Sequence, residues 1–107
     1  MKNVLFVCSQ NRLRSPTAEQ VFADREGVEV LSAGLDNSCG NPVTPELVEW
    51  ADIIFVMEQS HRNKLGKRFR ESLSSQRVIV LGIPDDYEFM DPELVRLLEA
   101  RVPRFLP

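Results

Sequence analysis

Near the start of the chain a cysteine follows directly on an apolar run, and an arginine stands six positions later: Cys8-Ser9-Gln10-Asn11-Arg12-Leu13-Arg14-Ser15-Pro16. In a chain with ten arginines the spacing alone is a weak signal. Its context carries more. The apolar run reads as a strand and Ser15-Pro16 as a helix opening, so the residues between form a loop ending at a helix N-terminus. Backbone N–H groups in such a loop can point inward and, with the helix dipole, make an anion site. A thiol there feels positive potential, which favours the thiolate. Arg14 offers two parallel donors that match two phosphate oxygens. Ser15 can donate its hydroxyl to the sulfur. This set suits a sulfur nucleophile aimed at phosphorus.

The elements that must position these residues alternate along the chain. Residues 3–7 (NVLFV) read as a strand and are apolar from Val4 onward without alternation, as for a strand covered on both faces. Residues 16–26 read as a helix, with Ser15 as N-cap, Pro16 at the first helical position and Gly27 as the stop. A second strand covers 28–31 and is closed by Ser32-Ala33-Gly34. A loop over 35–43 leads to Thr44-Pro45-Glu46, which caps a short helix through Ala51. The third strand is 53–57, followed by a basic helix from Ser60 to about Leu73. A fourth strand covers 78–83, a loop 84–91, and a last helix runs from Pro92 to about Val102 with Leu94, Leu97 and Leu98 on one face.

This alternation predicts an α/β fold. We expect a single three-layer domain over residues 1–107, with a four-stranded parallel sheet, helices on both faces and the phosphate-binding loop after strand 1. In such sheets ligands bind at the carboxyl ends of the strands. The loop from Cys8 to Arg14 and the loop over 84–91 should therefore share one edge.

The 107 residues are 43% hydrophobic with a net charge of −3, which suits one core and gives no bulk preference for nucleic acid. No apolar run is long enough to span a bilayer, and no signal peptide precedes the first strand. A cytoplasmic, reduced protein with no membrane partner is expected. The stretch with Arg62, Lys64, Lys67, Arg68, Arg70 and Arg77 is basic, and that with Asp85, Asp86, Glu88, Asp91 and Glu93 is acidic. Both read as solvated faces, the basic one alternatively as a flank that attracts an anionic substrate. Cys39 reads as an incidental loop thiol and His61 as a surface residue in the first turn of its helix. No ligand cluster for a metal is evident.

These residues resemble the low-molecular-weight protein tyrosine phosphatases. Cys8, Asn11, Arg14, Ser15 and Pro16 fall on that family's phosphate-loop pattern. The resemblance extends to Ser32-Ala33-Gly34, to ADIIFVM at 51–57, and to IPDDY at 83–87, where the family reads Asp-Pro-Tyr. It implies a phosphomonoester hydrolase acting on a phosphorylated protein or a small phosphomonoester, releasing inorganic phosphate and using no cofactor or metal. By the same resemblance Cys8 is the nucleophile that becomes a phosphocysteine. Ser9, Gln10, Asn11, Arg12, Leu13, Arg14 and Ser15 form the phosphate site, with Asn11 bracing the loop. Asp85 is the general acid, with Asp86 second. Asp91-Pro92 looks like the family's Asp-Pro pair but also reads as an N-cap followed by proline.

Four departures stand out. Gln10 replaces a glycine and could crowd the cradle. Leu13 replaces a second cysteine. Asp86 replaces the proline after the acid. The segment between Gly34 and Ala51 is short and leaves only Trp50, expected to pack on the sheet, from the usual aromatic wall. Two alternatives to hydrolysis follow: a module that binds phosphate, a phosphoprotein or a nucleotide without turnover, and a phosphocysteine carrier.

Overall fold

A computed structural model describes residues 1–107. The four apolar runs form one parallel sheet in the order β2-β1-β3-β4. The strands are β1 (Lys2–Cys8), β2 (Val28–Gly34), β3 (Ile53–Val56) and β4 (Arg77–Val80). Between and after them lie α1 (Arg14–Phe22), α2 (Pro45–Trp50), α3 (Gln59–Arg68) and α4 (Pro92–Arg101), then a 3-10 turn, Pro103–Phe105.

β1 and β3 are central, and both of their faces are covered. On one face Val4, Phe6, Cys8 and Phe55 pack against Ala18 and Phe22 of α1 and Leu94 and Leu98 of α4. Phe6 stacks between Phe22 and Phe55, with ring centroids at 5.9 and 5.2 Å. On the other face Leu5, Val7, Ile54 and Val56 meet Val48 of α2 and Leu65 and Phe69 of α3. This two-sided burial is why the strands are apolar without alternation. Each large side chain so buried contributes roughly 1.5–3 kcal/mol.

The register makes the strands end together. Cys8 lies opposite Gly34, Val7 opposite Val56, and Val56 opposite Val80. Whatever follows each strand therefore gathers on one edge.

Several boundaries differ from expectation. α1 starts at Arg14 rather than Pro16, and its N-cap position is Leu13, with no side-chain cap. Ser15 is not the cap: it is the second helical residue, turned inward toward the sulfur. α1 also ends at Phe22, four residues before the expected Glu26, and the intervening turn closes on Gly27 at φ +84, a conformation open to glycine at little cost. β2 continues through Gly34, because Ser32, Ala33 and Gly34 pair with Phe6, Val7 and Cys8. α3 covers 59–68 and stops short of Leu73, where Phe69 turns into the second core. β4 is shorter than expected, although the N–H groups of Leu81 and Ile83 still donate to Val56 and Met57 carbonyls. Thr44 caps α2 by accepting from Leu47, and Trp50 packs against the second core, both as expected.

Gly34 is where β2 touches the Cys8 loop. A Cβ there would lie 2.7 Å from Cys39 Sγ, 2.8 Å from Ser9 O and 2.9 Å from the Gln10 carbonyl carbon. We expect Gly34→Ala to cost about 1–3 kcal/mol, the usual toll of overpacking. Gly66→Ala in α3 meets nothing within 4 Å and should gain about 0.5–1 kcal/mol. Urea unfolding of both variants checks this, and equal effects would contradict it.

Candidate active site

From Cys8 the chain turns through residues 9–13 into α1. The turn is pinned at its start from the β2 side: Leu35 N–H donates to Cys8 O at 2.9 Å and Asp36 N–H to Ser9 O at 2.8 Å. Midway, Asn11 adopts φ +55, a left-handed conformation that asparagine tolerates better than most residues. There its N–H donates to Cys8 Sγ at 3.3 Å. Its side-chain amide donates to Ser15 Oγ and to Ser32 Oγ, each at 2.9 Å. Ser15 Oγ accepts from Asn11 and keeps its own proton free to donate to Cys8 Sγ, 2.9 Å away. Ser32 in turn donates to Glu19 of α1. Two donors thus aim at the sulfur, the arrangement a sulfur anion needs.

Arg14 is 4% exposed. Its Nη1 donates to Glu58 Oε2 at 2.5 Å and to Ile83 O at 2.7 Å, and its Nε lies 3.8 Å from Asp85 Oδ1. The guanidinium so joins the start of α1 to the segments that follow β3 and β4. Its hydrogen bond holds the Glu58 carboxyl below the usual carboxylate range. Arg14 shares with Cys8, Ser9, Gln10, Arg12 and Leu13 the wall of a cavity of about 430 Å³, closed on another side by Asp85 and Glu88.

The three aspartates separate clearly. Asp85 lines the cavity, whereas Asp86 does not. Asp91 caps α4 by accepting from Glu93 N–H at 2.8 Å. The loop carrying them is tied down at Met90, which takes φ +60 and donates its N–H to Thr17 Oγ1 at 2.9 Å. Thr17 donates to Leu13 O at 2.6 Å, so this loop and the Cys8 loop share one anchor.

Two expectations are corrected. His61 is not a surface residue: it is 3% exposed. Glu58 N–H donates to His61 Nδ1 at 3.2 Å, which leaves the ring proton on Nε2, and Nε2 donates to Ser9 Oγ at 3.0 Å. It looks outward in the sequence because its partners are a loop residue 52 positions away and a cap. Cys39 is a free loop thiol, as expected, with its sulfur lying against Gly34. Gln10 does not crowd the cradle. Its backbone stays out of the left-handed region and its side chain donates to Asp36 at 3.1 Å. Glu58, Glu88, Glu19 and Thr17 were not singled out as site residues. For Glu58 a signal was available: it is a charged residue directly after a buried strand, at the edge where ligands bind.

Residues 3–64 match the family model described as low molecular weight phosphotyrosine protein phosphatase, and the chain belongs to that family. It is 30% identical to the protein-arginine-phosphatase of Bacillus subtilis (strain 168), over 84% of this chain and 79% of that one. It is 28% identical to the probable low molecular weight protein-tyrosine-phosphatase EpsP of Ralstonia nicotianae, over 86% and 79%. The low molecular weight protein tyrosine phosphatase SP-PTP of Streptococcus pyogenes shares the fold, with a TM-score of 0.81 at 18% identity over 100% of this chain and 95% of that one. The protein is a cysteine-dependent phosphatase.

Burial, and next the Arg14 charge, hold the His61 pKa below its ordinary 6.5. Above that pH the ring is neutral whether folded or unfolded. Below it the unfolded chain takes up a proton that the folded one resists, so stability should fall as pH drops from about 6.5 toward the folded value. His61→Gln keeps a neutral side chain and should flatten this part of the profile. Denaturation midpoints across about pH 7.5 to 5.5 test it, and parallel profiles for the two proteins would contradict it.

Proposed function

We propose that the enzyme hydrolyses phosphorylated protein side chains through a phosphocysteine formed on Cys8, without metal or cofactor. The observation that carries this is the meeting of two donors on the Cys8 sulfur inside the cavity that Arg14 lines. The Cys8 thiolate attacks phosphorus, and Arg14 with the amides of residues 9–15 holds the three equatorial oxygens. As the S–P bond forms and the bond to the leaving atom breaks, Asp85 gives that atom its proton. Water then attacks the phosphocysteine. Asp85 takes the water's proton, the S–P bond breaks, and inorganic phosphate leaves with the thiolate restored. Asp85 is favoured because it lines the cavity beside Arg14, with its side chain 67% exposed and within reach of solvent. Glu88 lines the same cavity and is its competitor. A free thiol at the reaction centre suits the reducing cytoplasm.

Phosphotyrosine is the substrate that follows from the family. Phosphoarginine is a second reading, and a specific feature supports it. The cavity carries no aromatic residue, and Asp85 and Glu88 put two carboxylates where a guanidinium would lie, against the one cation of Arg12 beyond Arg14. Comparative initial rates on a phosphotyrosyl and a phosphoarginyl peptide decide between them. The phosphoarginine reading expects a loss on that peptide alone in Glu88→Gln.

Cys8→Ser should abolish turnover of any phosphomonoester. Asp85→Asn should lower kcat/KM, which reports the phosphorylation step, by roughly 10²–10⁴-fold for phenyl phosphate and far less for p-nitrophenyl phosphate, since that leaving group needs little protonation. Asp91→Asn should leave both rates within about twofold, because asparagine caps a helix as well as aspartate does. A steep leaving-group dependence in Glu88→Gln and not in Asp85→Asn would move the acid to Glu88.

A further inference from the structure

Ser9 and Gln10, which line the Cys8 cavity, also line a second hollow of about 560 Å³. One ridge of the Cys8 loop therefore separates the two. The second hollow is walled by Leu35 and Asp36 after β2 and by Lys64 and Arg68 on α3. Lys64 and Arg68 are four residues apart and so share a helix face. Arg68 is committed to the wall itself, donating to Leu35 O and to the Asn37 side chain. Asp36 is committed too, accepting from Gln10 and from Ser38. Lys64 is exposed and pairs with no carboxylate. Its charge is nonetheless felt in this corner, where it adds to the lowering of both the Asp36 and the His61 pKa.

The first hollow has the opposite character at its far wall, where Asp85 and Glu88 stand. A molecule lying across both would meet carboxylates at one end and an uncommitted ammonium at the other. A phosphoryl group on Cys8 and a small leaving group need only the first hollow. An extended polypeptide can span the ridge, because neighbouring side chains on one of its faces stand about 6.6 Å apart.

We infer that the hollow beside Lys64 is a subsite for an acidic side chain next to the phosphorylated residue, so that the substrates are protein segments with an acidic neighbour on that side. This rests on the phosphatase reading given above. The basic character of α3, which could have been only a solvated face, acquires at Lys64 a place against the substrate.

The test uses a phosphotyrosyl peptide otherwise of alanine, with one glutamate placed in turn at each of two positions on either side. Affinity is measured first on Cys8→Ser, which needs no turnover, and kcat/KM on the active enzyme. One glutamate position should bind about fivefold tighter than the all-alanine peptide at low salt, through KM, and the gain should shrink as salt is raised. Lys64→Glu should abolish that gain while leaving p-nitrophenyl phosphate hydrolysis unchanged. Lys67→Glu lies on the same helix but outside the hollow, and should keep most of it. A gain at no position, a gain that survives Lys64→Glu, or an equal loss in Lys67→Glu would overturn the subsite. Failure of the active enzyme to hydrolyse p-nitrophenyl phosphate would instead overturn the phosphatase reading, and the affinities on Cys8→Ser would still decide the subsite.

Discussion

The site depends on one buried cation. Arg14 is 4% exposed, and a guanidinium in that position must be paired and hydrogen-bonded or it destabilises the fold. Its two partners on Nη1 come from separate strands, the carboxylate of Glu58 after β3 and the carbonyl of Ile83 after β4. Arg14 itself opens the helix that follows β1. The order β2-β1-β3-β4 and a register that ends the strands together are what bring these groups within reach. Removing one member of a fully buried pair costs roughly 3–5 kcal/mol, but the Glu58 side chain is 40% exposed and its loss lies below that range.

From that pairing the rest of the cradle can be traced. Glu58 opens α3, and its N–H sets the His61 tautomer that donates to Ser9. The loop is thus held from the β3 side by His61. From the β2 side it is held by the N–H groups of Leu35 and Asp36 and by the chain from Asn11 through Ser32 to Glu19. No buried side-chain nitrogen or oxygen is left without a partner. A loop so fully bonded suits the proposed phosphoryl site, since preorganised donors lower a barrier.

The sheet was legible because β1 from Val4 to Cys8 and all of β3 are apolar without alternation, a pattern that a doubly covered strand needs. Cys8, Asn11 and Arg14 were legible because their relation is local: a loop of fixed length between a strand and a helix. Ser15 misled only as a cap, because Ser-Pro is a good helix opening; its contact with the sulfur seven residues back was legible from the loop. The pairings of Glu58 and His61 were out of reach for a different reason. Their partners, Arg14 and Ser9, lie 44 and 52 positions away, and only the sheet register joins them. Glu88 was one acid among five in its stretch, and nothing short of the folded loop distinguishes it from Asp86 or Asp91. The departures at Gln10 and Leu13 were visible from the start, but their consequence was not. Gln10 reaches out to Asp36, and Leu13 forms cavity wall, so neither closes the cradle.

The proposed mechanism stands or falls on the covalent bond between Cys8 and phosphorus. Asp85→Asn enzyme mixed with excess p-nitrophenyl phosphate, quenched in acid within the first turnovers and digested, can be searched by mass spectrometry for a phosphoryl group. That group should appear on the peptide containing Cys8, approaching one per chain, and be absent from Cys8→Ser. Release of phosphate with no label on Cys8 at any quench time, or a label on another residue, would contradict it.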